Sequence, residues 1–486
     1  MGLLDDQSRW RGKIFTGRWT STGATMEATE PATGDVLAEV GTADADTLGR
    51  CAGQAAEAGR RWAATSFTER EAVLRRAAEL FEQHRDEITT WLGREAGKAR
   101  TAAALDFDLA LTELRAATAL PAQPWGTLLP TTQPGRISTA RRIPYGVVAV
   151  IAPWNFPLIL AMRSVAPALA TGNAVVLKPA SEAVVCCGVV IARLFEEAGL
   201  PPGVLHMLPG KGSELGNAVA EDPNIDLISF TGSTPVGRNL SEAAGKHFKK
   251  MVSELGGNNA FVVLADAEVE AAAAAGAYGS FAHQGQVCMA TGRHLVAEPI
   301  APLYENVLAK IADGLTVGDP RGDVDLGPII NQSQLDHITD IVRRSVDAGA
   351  RIVTGGTADG LFLRPTVLAD VTPDMPAFAE EIFGPVAVIT TFRDDDEAVR
   401  LANGTPYGLV AGVHSGSAAH AQAIGDRLRA GMIHINDQTV NDETPAPFGG
   451  MGESGGSSRF GSLTNLDEFT VWQWVTVRDT QSHPSL

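Results

Sequence analysis

The feature that most constrains this chain is a change of pattern at Tyr145, after which short β-rich runs alternate with segments of helix length. That alternation is the pattern of a parallel sheet joined by crossover helices. Strands are expected at 146–152, 174–177, 204–208 and 226–230, with helices near 158–170, 183–198 and 213–220. Ligands of such sheets bind beyond the carboxyl ends of the strands, so the informative residues should follow them. A second α/β region is expected over about 261–431, with strands near 261–264, 350–353 and 386–391 and an Ala-rich helix over 268–281.

Ahead of the first sheet, residues 44–120 read as helical. Thr68 and Glu71 are spaced as a capping box before an amphipathic stretch reaching about Leu92. These helices are expected to cover the sheet without contributing to a site. Pro121, Pro124, Pro130 and Pro134 then exclude helix before the alternating run 136–142, and a last strand-like run covers 468–477. Two extended arms outside the cores suggest subunit pairing.

At 486 residues the chain is too long for one core, and 44% hydrophobic with 20% charged residues is ordinary for a folded enzyme. A net charge of −18 argues against binding nucleic acid or an anionic membrane surface, while leaving room for a local basic pocket. Cys51, Cys186, Cys187 and Cys288 are too few and too unevenly spaced for a disulfide scaffold or a paired-cysteine metal site, so no metal is expected and a reducing cytoplasm is the simplest compartment. The first residues, MGLLDDQSRWRGKIF, lack a signal-peptide core, and the apolar run 183–192 is far short of the ~20 residues that span a bilayer.

The candidate residues do follow strands. In APWNFP, two prolines stiffen a loop holding Trp154, Asn155 and Phe156; the Asn155 amide could donate to a developing oxyanion, or simply close a turn. Lys178, in LKPA, could bind ribose hydroxyls or phosphate, though a lone lysine is more often a solvated loop residue. DLISFTGSTPVG is a strand followed by a helix start with Gly232, Ser233 and Gly237; Ser233 or Thr234 could cap it, and its N-terminus favours an anion. The Gly-x-Gly-x-x-Gly fingerprint is absent, so an ordinary strand-to-helix turn competes equally. Cys288, in HQGQVCMATG, sits among turn formers and is a credible nucleophile if its thiol pKa is depressed; a buried Cys is otherwise a small hydrophobe. Glu254, in SELGGNN after the strand-like run 247–253, could activate water if burial raises its pKa, or could serve as a cap or surface acid.

Read together, PWNFP, LKPA, FTGST, ELGG and GQVC, in this order and spacing, resemble the aldehyde dehydrogenase superfamily, and the likeness continues through GDPRGDVDLGPII, EEIFGPV, NGTPYGL and PFGGMGESG. The resemblance implies a Rossmann-like parallel-sheet cofactor domain (1–120 and 145–256), a second α/β catalytic domain (257–455) and an extended β arm for oligomerisation (121–144 and 465–486). It implies that Cys288 attacks an aldehyde, that Asn155 and the Cys288 N–H hold the oxyanion, and that Glu254 activates water for hydrolysis of a thioester to the free acid. Lys178 would bind the adenosine ribose, Gly232, Ser233 and Gly237 would lie at the pyrophosphate, Glu381 and Phe383 would position the nicotinamide half, and Trp154 would line the cofactor channel.

NAD is the expected cofactor, with NADP left open. Ser181 stands where many NAD-using relatives carry Glu, and Lys211 could attract a 2′-phosphate. The stretches around Asn155 and Cys288 are similar to bacterial benzaldehyde, vanillin and salicylaldehyde dehydrogenases, so an aromatic aldehyde is the expected substrate. Phe156, Leu160, Val287 and Met289 would form an apolar pocket wall, where Arg163 either meets a polar ring substituent or pairs with an acid elsewhere. An aliphatic or semialdehyde dehydrogenase is the alternative enzyme. A non-catalytic protein of the same fold is the alternative class, and its mark would be loss of Cys288, Glu254 or Asn155. A homodimer or homotetramer is expected.

Overall fold

The computed structural model of the chain describes residues 2–478; residue 1 and residues 479–486, parts of the segments expected over 1–120 and 465–486, lie outside the described residues. Strands Val147–Ile151, Ala174–Lys178 and Leu205–Met207 lie side by side in chain order. The chain then crosses to the other side of Val147–Ile151 and lays down Leu227–Thr231 and Lys250–Glu254. These five strands are parallel, and Lys13–Phe15 with Trp19–Ser21 extend the far edge antiparallel. The reversal of direction between Val147–Ile151 and Leu227–Thr231 is a switch point, where loops on opposite sides diverge and open a crevice. Register brings the strand ends into one row: Lys178 is opposite Ile151, Ile151 opposite Phe230, and Thr231 opposite Glu254.

The second sheet runs in the order Arg351–Thr354, Thr366–Ala369, Val386–Phe392, Thr291–Ala297, Asn259–Val263, Val410–His414, Met432–Ile435, parallel except at the Arg351 edge. A separate three-stranded sheet joins Gly126–Leu129 and Arg136–Pro144 to Thr470–Arg478, paired antiparallel from Thr470 against Pro144 to Arg478 against Arg136. On one face of it Trp472 and Trp474 remain 52% and 69% exposed. Trp474 donates to the Ser138 hydroxyl at 2.9 Å, and Arg142 lies 4.2 Å over the Trp472 ring.

Several expectations change in detail. The capping box is Ser66 with Glu69, because helix Phe67–Gln83 already includes Thr68, whereas Ser66 is extended and exchanges hydrogen bonds with Glu69 in both directions. The amphipathic stretch breaks at His84, whose backbone leaves the helical region, and resumes as Arg85–Glu95. The helix expected over 183–198 opens as a π-turn, Val185–Val189, where the buried Glu95 carboxylate takes the Val185 and Cys186 N–H groups at 2.8 and 2.7 Å. The strand read from residue 247 begins only at Lys250, since Phe248 turns the chain at φ 56°. Helix Arg100–Ala117 packs against Pro157–Ala170 and does more than cover the sheet, as the site below shows.

Among the described residues no helix is long and apolar enough to cross a membrane. Replacing Ser66 with Ala removes the acceptor for the Glu69 N–H and is expected to lower stability by about 1 kcal/mol in denaturant unfolding, with Thr68→Ala close to neutral. Equal effects of the two substitutions would show that Ser66 does not cap this helix.

Candidate active site

The nucleophile segment is shaped by a turn that most side chains resist. Helix Val269–Phe281 gives way to three consecutive left-handed residues, His283 (φ 47°), Gln284 (φ 57°) and Gly285 (φ 66°). At Gly285 a Cβ would also run into the Gly384 carbonyl oxygen, so glycine is required on two counts. The Gln284 amide steadies the turn by donating to the Gly97 and Pro328 carbonyls at 3.1 and 2.9 Å. Beyond it, Asn259 donates to the Cys288 and Ala290 carbonyls, both at 2.8 Å, and thereby fixes the backbone of the cysteine before strand Thr291–Ala297 begins.

Asn155 approaches from the first sheet, in the loop after Val147–Ile151 and before helix Pro157–Ala170. Its side chain is buried and donates one N–H to the Gln286 carbonyl at 2.9 Å, which ties it to the cysteine segment and leaves the second N–H of the amide free to serve an oxyanion. Glu254 is the last residue of its strand, not a residue beyond it. Neither of its carboxylate oxygens has a hydrogen-bond partner among the described residues. Burial holds its carboxyl well above the usual carboxylate range, against the pull of Arg163 and Arg459.

The condition set for a ready nucleophile, a depressed thiol, is not met at rest: burial first, and the Glu254 charge second, push the Cys288 thiol up to about 12. Forming the thiolate therefore needs a base to take its proton, and the ionised form of Glu254 can serve. Arg163 draws both pKa values down. It is buried and paired with Asp442 through one nitrogen, with its guanidinium 4.3 Å over the Phe448 ring, while its Nε and its other terminal nitrogen have no hydrogen-bond partner among the described residues.

Two cavities meet at the cysteine. One, of about 210 Å³, is lined by Phe156, Leu160, Arg163, Val287 and Met289, together with Leu105 and Leu109 from helix Arg100–Ala117 and Phe448 from a distant loop. The other, of about 230 Å³, is lined by Trp154, Gly232, Ser233, Glu254, Glu381 and Phe383. Cys288, Asn155 and Leu160 line both. In the second cavity the Phe383 ring, held at φ 55°, meets Trp154 edge-on at 5.6 Å. Glu381 accepts the Gly257 N–H at 2.8 Å while burial raises its carboxyl to about 7. A Cβ on Gly256 would collide with that carboxylate.

Lys178, Ser181, Lys211 and Gly237 line neither cavity. Lys178 ends its strand, buried, with a single bond to the Pro179 carbonyl at 3.2 Å, and burial lowers its pKa. Lys211 is exposed and lines a separate surface cavity of about 800 Å³ with Arg18, Arg50 and Glu214. Gly237 lets helix Thr234–Lys246 close on Leu255. Ser233 occupies the cap position of that helix without capping it, and the Thr234 hydroxyl turns away to the Glu453 carbonyl at 3.0 Å, so the first-turn N–H groups are left to a ligand.

The sequence reading missed Leu105, Leu109, Asp442 and Phe448, which reach the apolar cavity from far along the chain. Leu105 and Leu109 carry a weak signal, the i, i+4 spacing of one helix face; Phe448 lies in the PFGGMGESG motif, and Asp442 carries none. Among the described residues no group of three or more His, Cys, Asp or Glu side chains is arranged to hold a metal.

The sequence pattern of the aldehyde dehydrogenase family matches residues 19–475. The chain is 52% identical to a vanillin dehydrogenase from Amycolatopsis sp., over 100% of both chains. It is 46% identical to a benzaldehyde dehydrogenase [NAD(+)] from Pseudomonas putida, over 97% of each. The solved structure of a salicylaldehyde dehydrogenase from Pseudomonas putida G7, complexed with salicylaldehyde, superposes with a TM-score of 0.93 at 32% identity, covering 97% of this chain and 99% of that one. Matching over nearly its whole length in sequence and in fold, this chain belongs to the aldehyde dehydrogenase family.

Proposed function

We propose that this enzyme oxidises an aromatic aldehyde to the carboxylic acid with NAD, using Cys288 as nucleophile, Asn155 as oxyanion donor and Glu254 as general base. The observation that carries the reading is that Cys288 and Asn155 stand on the wall shared by the two cavities, one apolar and the other holding Glu254. An aldehyde in the first cavity presents its carbonyl to the thiol, while the second leaves room for a planar redox group and for water.

The residues present suit a nicotinamide dinucleotide. The uncapped start of helix Thr234–Lys246 suits a pyrophosphate, the ammonium of Lys178 has donors to spare for ribose hydroxyls, and Gly256 admits close packing beside Glu381. When bound, the dinucleotide supplies the hydride acceptor. On the protein side, the Cys288 thiol gives its proton to the ionised Glu254 carboxylate as its sulfur adds to the aldehyde carbon, giving a thiohemiacetal oxyanion held by the free Asn155 N–H. Loss of hydride leaves a thioester. After releasing that proton to solvent, Glu254 takes one from water, the hydroxide adds to the acyl carbon, the C–S bond breaks to release the acid, and the proton on Glu254 passes to the departing thiolate, regenerating Cys288.

The relatives' names, for vanillin, benzaldehyde and salicylaldehyde, support an aryl substrate, as does the apolar lining. A carboxylate-bearing semialdehyde would need an unpaired cation in the 210 Å³ cavity, and Arg163, the cation lining it, is paired with Asp442. NAD is favoured over NADP by the NAD(+) of the benzaldehyde dehydrogenase's name. In this reading 1–120 and 145–256 carry the dinucleotide, 257–455 carries the nucleophile, and the arm at 121–144 with 465 onward pairs two copies of the chain as a dimer or a pair of dimers. The exposed Trp472 and Trp474 support that pairing.

An assay of benzaldehyde and succinic semialdehyde with each dinucleotide should give at least about tenfold higher kcat/KM for benzaldehyde with NAD; a tenfold preference for the semialdehyde would overturn the substrate. Cys288→Ala should abolish oxidation while dinucleotide still quenches tryptophan fluorescence, and Glu254→Gln should slow steady turnover while keeping a burst of hydride release. The base form of Glu254 exists only above its raised pKa, so wild-type turnover should fall as pH drops through a value above the ordinary carboxylate range. That limb should be missing from the Gln variant; its persistence there would assign the base elsewhere. For the arm, Trp474→Arg should shift the sedimentation coefficient toward the monomer, and an unchanged value would remove this surface from the interface.

A further inference from the structure

Behind the oxyanion loop lies a buried ion pair that the chemistry above does not use. Lys98 and Asp106 are fully inaccessible to solvent, with the ammonium 3.7 Å from the carboxylate. The Lys98 nitrogen has no hydrogen-bond acceptor among the described residues; instead it stands 3.4 Å from the centre of the Phe156 ring. Asp106 accepts the Ile159 N–H at 3.0 Å through one oxygen and leaves the other without a hydrogen bond. The far edge of the arrangement is His283, whose ring meets Phe156 edge-on at 5.2 Å and whose two nitrogens are also unpartnered.

An ammonium buried without an acceptor is an expensive way to fill a core, and a methionine or leucine of similar volume would be cheaper. Its position explains its presence. Asp106 grips the first turn of helix Pro157–Ala170, and Lys98 grips the face of Phe156, so the pair holds both residues that flank the start of that helix. Asn155 is the residue immediately before Phe156. The same segment reaches the nucleophile side as well, because the Gly97 carbonyl accepts from Gln284 in the left-handed turn. We propose that Lys98 and Asp106 are positioning residues for the oxyanion donor: they fix the Phe156 ring and the helix start so that the free N–H of Asn155 points to the oxygen of the Cys288 adduct. This rests on the assignment of Asn155 made above.

In full-length enzyme, Lys98→Met should lower the single-turnover rate of reduced nicotinamide formation from benzaldehyde by at least about tenfold, a fraction of what loss of a whole oxyanion donor does. The KM for benzaldehyde should stay within about threefold. Alkylation of Cys288 by iodoacetamide needs no oxyanion donor, and its rate should stay within about twofold. Asp106→Asn, which keeps an acceptor for Ile159 but removes the charge, should move the same readouts in the same direction and carries the test if the Lys98 variant does not fold. An unchanged hydride rate in the folded variants, or a parallel fall in alkylation and hydride formation, would overturn the proposal. Asn155→Ala serves as the reference: if it keeps its hydride rate, the oxyanion assignment itself fails, whereas its loss beside an intact Lys98→Met rate defeats only the positioning role.

Discussion

The geometry of the site depends on the hydrogen bond from the Asn155 side chain to the Gln286 carbonyl, which joins a loop of the first sheet to the cysteine segment of the second. Such a bond contributes only about 1 kcal/mol net, so it cannot by itself align two sheets. It works because each end is already rigid. On one side Asn155 precedes a helix whose first turn is held by Asp106; on the other, Gln286 follows a left-handed turn that only Gly285 can complete and that Gln284 pins to Gly97 and Pro328.

That alignment explains why a site with no depressed thiol can still be nucleophilic. Burial raises both Cys288 and Glu254, and a raised carboxyl pKa makes Glu254 a stronger base once ionised. The cost of burying a charge is met by Arg163, which lowers both pKa values from a position fixed by Asp442 and the Phe448 ring. A fixed cation in a dry site acts through a lower dielectric than water, so its influence reaches both groups without contact.

The parallel sheets, the strand ends and the order of the motifs were legible in the sequence because they rest on local periodicity and on short contiguous segments. Asn155, Glu254 and Cys288 could be named for the same reason: each lies in a motif that follows a strand or helix. What escaped were properties set by distant neighbours. The thiol pKa of Cys288 depends on how much solvent the assembled cavities exclude, which no motif encodes. Ser66 outcompeted Thr68 as the cap through a difference of backbone conformation at two nearby positions that share the same spacing to a glutamate. Helix Arg100–Ala117 looked like a cover because its apolar face is read the same way whether it packs on a sheet or lines a cavity.

The glycine-rich stretch 449–456 shows how such a distant segment completes the chemistry. A Cβ at Gly449, which sits at φ 157°, would press on a Glu254 oxygen, Gly455 pairs with Glu254 as an isolated bridge, and the Leu255 N–H donates to the Ser454 carbonyl at 2.9 Å. The loop is therefore laid directly over the base, close enough that only backbone fits. A charged side chain in its place would set the protonation state of Glu254 by direct Coulomb interaction, and a bulky one would displace the carboxylate. Glycine leaves the pKa of Glu254 to burial and to the more distant arginines Arg163 and Arg459, which is the balance a base needs if it is to hold a proton in one half of the cycle and remove one from water in the other.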